Sequence, residues 1–168
     1  MDQNPSIDRI DFGILRMLMS NARASNKEIA AGVDLAPSSC HQRIRALRKR
    51  GTLRGAHAEV DLASLGWPLE ALLFVQVAKL EANKVDRFVR ETASVSEVRN
   101  VFLISGHFDL VVHVVARDME HLKSIISESF SRQTAVIRVE TSVVFNRQSR
   151  YEMPDIDAKV KDKTAGSR

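Results

Sequence analysis

The chain has 168 residues, 44% of them hydrophobic and 27% charged, with a formal net charge of +4. That length holds one domain or two small ones, and that balance belongs to a folded soluble chain rather than a disordered one. No run reaches the roughly 18 apolar residues of a membrane span, MDQNPSIDR lacks the apolar core of a signal peptide, and one cysteine excludes an internal disulfide or a cysteine metal cluster, so a reducing cytoplasm is the expected compartment.

Residues 1–6 are expected to be loose. Ile7, Ile10, Ile14, Leu15 and Leu18 then recur at helical spacing and predict a first helix to about Met19, closed by Asn21-Ala22-Arg23. Ser25 and Glu28 have the S-x-x-E spacing of a capping box, in which each side chain satisfies one backbone N–H at a helix start. Ile29, Ala30 and Val33 give that second helix its apolar stripe. Asp34-Leu35 makes a turn, and Pro37 stands at the first position of a third helix, where its missing N–H costs nothing. This helix runs to about Arg50 and stops at Gly51, a usual residue just past a helix C-terminus.

At about 100° per residue, Cys40, Ile44 and Leu47 of the third helix form one core stripe. Ser38, Gln42, Arg45 and Lys49 fall opposite, with His41 on their flank. From Leu35 to Ala58 there is no acid but six bases: Arg43, Arg45, Arg48, Lys49, Arg50 and Arg54. The stretch is thus +6 in a chain of +4, and the remainder is −2. The basicity is local, and a pI of about 9.5 suits a polyanionic partner. Taken alone, an Arg-rich run is as well explained by a solvated surface. With a capped helix, a short turn and a proline-started second helix before it, the pattern is a helix-turn-helix.

Such a helix suits the major groove of double-stranded DNA, where bases are read by hydrogen bonds and phosphates are held by Arg and Lys. The expected DNA contacts are Ser38, Ser39, His41, Gln42, Arg45, Lys49, Arg50 and Arg54. Arg45 is expected at base edges or adjoining phosphates, and Arg50 as a charge beside the backbone. Thr52 to Asp61 can form a two-stranded wing or a crossing strand, which makes the whole a winged helix-turn-helix. Gly55, Asp61 and Leu65-Gly66-Trp67-Pro68 interrupt regular structure. The expected organisation is a DNA-binding domain at 1–55, a hinge at 56–68, a second domain at 69–147 and a polar tail at 148–168.

The second domain reads strand (Leu69–Leu80), helix (Lys84–Thr92), two strands (Val98–Ser105 and Phe108–Ala116), helix (Met119–Ser131) and strand (Val136–Phe145). The helices turn Val85, Phe88, Val89 and Thr92, and Leu122, Ile125, Ile126 and Phe130, inward. That βαββαβ order predicts an α+β ferredoxin-like sandwich, an antiparallel sheet with both helices on one face. Leu72-Leu73-Phe74-Val75 and Leu110-Val111-Val112 do not alternate with polar residues, so the face away from the helices is apolar as well. A second copy of the same sheet is the simplest cover, which predicts at least a homodimer. The tail from Asp155 is polar, aperiodic and expected to be mobile.

Ser105-Gly106-His107-Phe108-Asp109 is the candidate small-molecule site. Gly106 permits a positive φ and close approach to the backbone, Asp109 can accept an ammonium group, and backbone N–H groups can hold a carboxylate. A plain hairpin turn capped by Asp109 remains the competing reading. Cys40 shares the stripe of Ile44 and Leu47 and reads as a small buried hydrophobe. His41, His57, His107, His113 and His121 show no metal-ligand spacing, no phosphate loop or nucleophile elbow is present, and Glu81, Asp86 and Glu91 read as solvated faces. Neither a catalytic residue nor a metal or cofactor is expected.

IDRIDFGILRML, the helix-turn-helix with RIRALRKRG, and SGHFDLVVHV together resemble the Lrp/AsnC (leucine-responsive/asparagine-synthase regulator, feast/famine) family from about Ile7 to Arg147. The resemblance implies a DNA-binding domain, a hinge strand, and an effector-sensing domain that dimerises and often assembles into tetramers or octamers. It also implies small effectors, usually amino acids, near the loop matching Ser105 to Asp109. Ala36 stands where the family commonly caps the recognition helix with Ser or Thr, and Arg132-Gln133-Thr134-Ala135 replaces the family's Leu-Pro-Gly. The function expected is a cytoplasmic, sequence-specific transcriptional regulator modulated by a small effector. A DNA-wrapping nucleoid organiser is the first alternative. A tetrapyrrole decarboxylase-like enzyme is the second, and the acid-free stretch argues against it.

Overall fold

A computed structural model of the chain describes residues 7–78, 82–131 and 133–154. The expectations for 1–6, for the strand end at 79–80, for Glu81 and Arg132 and for the tail from 155 lie outside these residues. The chain divides into two compact units: residues up to Glu59 with the segment from Ser149 on, and Val60–Gln148.

The first unit is three helices, α1 (Arg9–Ser20), α2 (Asn26–Gly32) and α3 (Pro37–Lys49). Each starts as its sequence directs. The Asp8 carboxylate caps α1 by accepting from the Asp11 N–H at 2.8 Å. At α2 both halves of the capping box form, with Ser25 Oγ accepting from Glu28 N–H and Glu28 Oε2 accepting from Ser25 N–H. Pro37 opens α3 behind Ala36, which makes no side-chain cap bond. Asp34 takes a positive φ of 53° in the α2–α3 turn.

α3 ends in a Schellman motif. Gly51 has φ 71°, its N–H donates to Arg48 O, and the Thr52 N–H donates to Leu47 O. Ile14, Leu15, Ile29, Ala30, Cys40, Ile44 and Leu47 form the core. Gly13 lies mid-helix in α1, a position that costs about 1 kcal/mol relative to Ala. The reason is space: a Cβ there would lie 2.8 Å from Val33 Cγ1.

Residues 52–61, where a wing or crossing strand is expected, carry no strand. They are exposed apart from the half-buried Leu53, so no apolar face holds a hairpin down. Inside the second unit, a short helical turn (Ala63–Leu65) ended by Gly66 at φ 88° precedes the first strand.

That unit follows the expected order: β1 (Leu69–Val77), α4 (Ala82–Ala93), β2 (Val98–Leu103), β3 (Leu110–Ala116), α5 (Met119–Ile125, continuing in π geometry over Ile126–Ser131) and β4 (Val136–Val144). The strands lie in the order β2-β3-β1-β4, and each neighbouring pair is antiparallel. Ala71, Leu73 and Val75 of β1 and Leu110, Val112, Val114 and Ala116 of β3 pack with Phe88, Leu122, Ile125 and Phe130 from the helices. The wider π turn still delivers Phe130, fully buried, to this core.

The opposite face presents Leu72, Phe74, Val111 and Val115, as expected, but its centre is polar. Buried His113 makes a 2.9 Å hydrogen bond through Nε2 to Glu70 Oε2. Asn100 Nδ2 lies 3.3 Å from its Nδ1. An amide nitrogen only donates, so this contact leaves Nε2 as the donor to Glu70.

The uncapped start of α3 gives the first prediction. Ala36 already has the extended φ and ψ of a cap residue (−64°, 141°), so Ala36→Ser should stabilise the chain by about 0.5–2 kcal/mol. Thermal unfolding of the two proteins measures this; an unchanged midpoint would mean that the serine finds no N–H to accept from.

Candidate nucleic-acid interface and effector loop

Three strips run along α3. Cys40, Ile44 and Leu47 face the core and are buried. Burial also pushes the Cys40 thiol above its ordinary pKa, away from reactive thiolate. Ser38, Ser39, His41, Gln42, Arg45, Arg48 and Lys49 are exposed, as is Arg54 beyond the helix. Arg45, Arg48 and Lys49 line one shallow hollow. Arg48, which lay in the basic stretch but outside the expected contact set, thus stands beside Arg45 and Lys49.

The third strip faces α1. Arg43 Nη1 donates to Asp8 Oδ2 at 2.7 Å and to Asp11 Oδ1 at 2.9 Å. Arg50 Nη2 lies 3.4 Å from Asp11 Oδ2, and its Nε donates to Ala46 O. Arg50, expected to meet the DNA backbone, is thus turned toward an internal carboxylate. The reason is periodicity: Arg50 follows Arg43 by seven residues, two helical turns, and so shares its face. Asp11 is 4% exposed, burial that a carboxylate sustains only when paired. Its partners come from more than 30 residues away, so no local pattern announced them. Another clamp of this kind is Asn26, whose Nδ2 donates to Pro37 O at 2.8 Å and ties α2 to the first turn of α3.

In the second unit, Ser105 to Asp109 link β2 to β3. Gly106 has φ 127°, the left-handed side that glycine was expected to supply. The loop is closed by the Ile104 N–H donating to Asp109 O, and the Asp109 N–H donates to Val75 O. Asp109 Oδ2 accepts from the Val77 N–H at 2.8 Å, so one carboxylate oxygen secures the end of β1. The Phe108 ring packs against Phe74 and His107, with centroids 5.6 and 5.0 Å apart. Among the described residues, the N–H groups of Ser105, Gly106, His107 and Phe108 have no acceptor. A groove of about 580 Å³ lies elsewhere, in the helical unit against Ile10, Phe12, Val33 and Met153. No group of three His, Cys, Asp or Glu side chains among the described residues is placed to hold a metal, and no described helix is long and apolar enough to cross a membrane.

A helix with a buried stripe, an outward polar and cationic row and a short turn before it, followed by a ferredoxin-like unit, defines a two-domain helix-turn-helix DNA-binding protein. Residues 7–54 match the family model for a winged helix-turn-helix DNA-binding domain, and residues 70–153 that for the Lrp/AsnC ligand binding domain. The chain belongs to the Lrp/AsnC family of transcriptional regulators. It is 33% identical over 139 residues to the HTH-type transcriptional regulator AldR of Mycobacterium tuberculosis, covering 83% of this chain and 78% of that one. The crystal structure of that AldR superposes with a TM-score of 0.74 at 31% identity, covering 88% of this chain and 99% of the other. A transcriptional regulator from Neisseria meningitidis in complex with L-Met has the same fold, with a TM-score of 0.81 at 23% identity over 91% and 99% of the two chains.

The Asp8 carboxyl is held below its ordinary pKa of 3.8, chiefly by the Asp11 backbone N–H and then by Arg43. A depressed acid stabilises the fold above the ordinary value and loses that contribution as pH falls through the lowered one. The first unit should therefore weaken as pH drops below 3.8, and Asp8→Asn should flatten that acid limb. Unfolding midpoints measured down the acid range test this; identical limbs would show that Asp8 contributes nothing.

Proposed function

We propose that the chain is a sequence-specific DNA-binding transcriptional regulator, dimeric through its sheet, whose DNA binding responds to an amino acid held at the 105–109 loop. The observation that carries the DNA reading is the outward face of α3. Ser38, Gln42, Arg45 and Lys49 stand exposed on it, and no acid occurs from Leu35 to Ala58. Arg45 reads bases, and Arg48, Lys49 and Arg54 hold phosphates. Residues 56–68, which span the boundary between the two units, serve as the hinge.

The effector reading is supported by the four unbonded N–H groups around Gly106. Successive amides of this kind form a concave anion site suited to a carboxylate. The Asp109 oxygen not engaged by Val77 is available to an ammonium group. The L-Met complex of the Neisseria meningitidis regulator supports the amino-acid class. Dimerisation is supported by Leu72, Phe74 and Val111, which stay only half-buried on the face away from the helices.

Arg45→Ala should cost roughly 1–3 kcal/mol of discrimination, about 5- to 150-fold in preference for the bound sequence over a scrambled duplex. Footprinting on the gene's own upstream region supplies that sequence, and gel shifts on both duplexes measure the preference. Equal losses on the two would favour the nucleoid-organiser reading.

Phe74→Glu puts an acid on the uncovered face, directly across the β1–β4 ladder from Glu140. It should leave a monomer in light scattering at tens of micromolar while the unaltered chain remains a dimer. A variant that stays dimeric would move the interface off this face.

A further inference from the structure

The basic stretch has six bases, and α3 offers them in two ways. Arg45, Arg48, Lys49 and Arg54 are exposed, and none has an ion pair among the described residues. Arg43 and Arg50 face α1 instead. Arg43 is shared between Asp8 and Asp11 at 2.7 and 2.9 Å, and the second Asp11 oxygen meets Arg50 at 3.4 Å. The two acids stand three residues apart at the start of α1, so they present their carboxylates to one side. Among the described residues, two acids thus face two bases. The Arg43 side chain is 34% exposed, next in the chain to the exposed Gln42.

Sequence-independent affinity for DNA grows with the number of phosphates neutralised, and each adds about 0.9 to the salt slope. We infer that Asp8 and Asp11 are charge-withholding residues: they keep Arg43 and Arg50 out of the set of cations that meets DNA, and so restrain binding to unrelated sequence. The inference rests on the DNA-binding reading above. The acids touch no DNA themselves and act through the two arginines. Base reading by Ser38, Gln42 and Arg45 is left intact, so the restraint favours discrimination.

The test uses the full chain, a scrambled duplex and the upstream duplex, with affinities measured at several salt concentrations. Asp8→Asn combined with Asp11→Asn changes little in shape, and Asn caps a helix as well as Asp does. This variant should bind the scrambled duplex more tightly and steepen its salt slope by about one unit or more. Its preference for the upstream duplex should fall. Adding Arg43→Gln to that variant should return the slope toward that of the unaltered chain. Asp34→Asn, which removes an exposed acid in the α2–α3 turn and releases no arginine, should leave the slope unchanged.

An unchanged slope in the folded double variant, or equal steepening by Asp34→Asn, would overturn the inference. If melting shows the double variant unfolded, Arg43→Gln alone decides: a withheld cation leaves the slope as it was, and a DNA-contacting one makes it shallower by about one unit. Failure of the unaltered chain to bind either duplex would be a distinct result, bringing down the DNA-binding reading and this inference with it.

Discussion

Cys40, Ile44 and Leu47 leave water together against Ile14, Leu15, Ile29 and Ala30, and that burial is what the first unit depends on. Each large side chain so buried contributes about 1.5–3 kcal/mol, several times what a surface ion pair supplies. Once this stripe faces inward, the roll of α3 is decided and every other residue on it is assigned a side. Ser38, Gln42, Arg45 and Lys49 must face out, while Arg43 and Arg50 must face α1. The same roll that presents cations to a ligand therefore brings two of them against the carboxylates of Asp8 and Asp11.

The second unit has the opposite difficulty. A four-stranded sheet with both helices on one side leaves Leu72, Phe74 and Val111 only half-buried by its own chain. The His113, Glu70 and Asn100 cluster sits in the middle of that face with its hydrogen bonds made internally. A buried polar group costs little when satisfied and much when orphaned, so a cover over this face need not supply partners for His113. At the end of the same sheet, Asp109 ties its loop to the Val77 N–H. The competing expectation of a capping Asp thus describes one carboxylate oxygen.

Much was legible in the residues because much is local. A capping box closes within three residues, Pro37 and Gly51 act on their own φ, and the apolar periods of 3.6 and 2 name the faces of helices and strands. These fix the starts of α2 and α3, the βαββαβ order, the buried stripe of α3 and the polar row opposite it, all of which the structure contains. The strand pairing expected at 52–61 is absent because a strand is completed by its neighbour, and nothing in a short polar stretch states whether a neighbour is there.

What the sequence determined by itself, then, is the set of elements and the side of each that must leave water, because both follow from contacts a few residues apart. The tertiary structure alone decided that Arg50 turns to Asp11, that Asn26 clamps Pro37, that Glu70 and Asn100 meet His113, and that Asp109 holds the end of β1. Each of these joins groups 11 to 43 residues apart. A charge or an amide in a linear chain carries no sign of which distant partner will neutralise it; only the packing of α1 on α3, and of β1 between β3 and β4, brings the pair within hydrogen-bond reach.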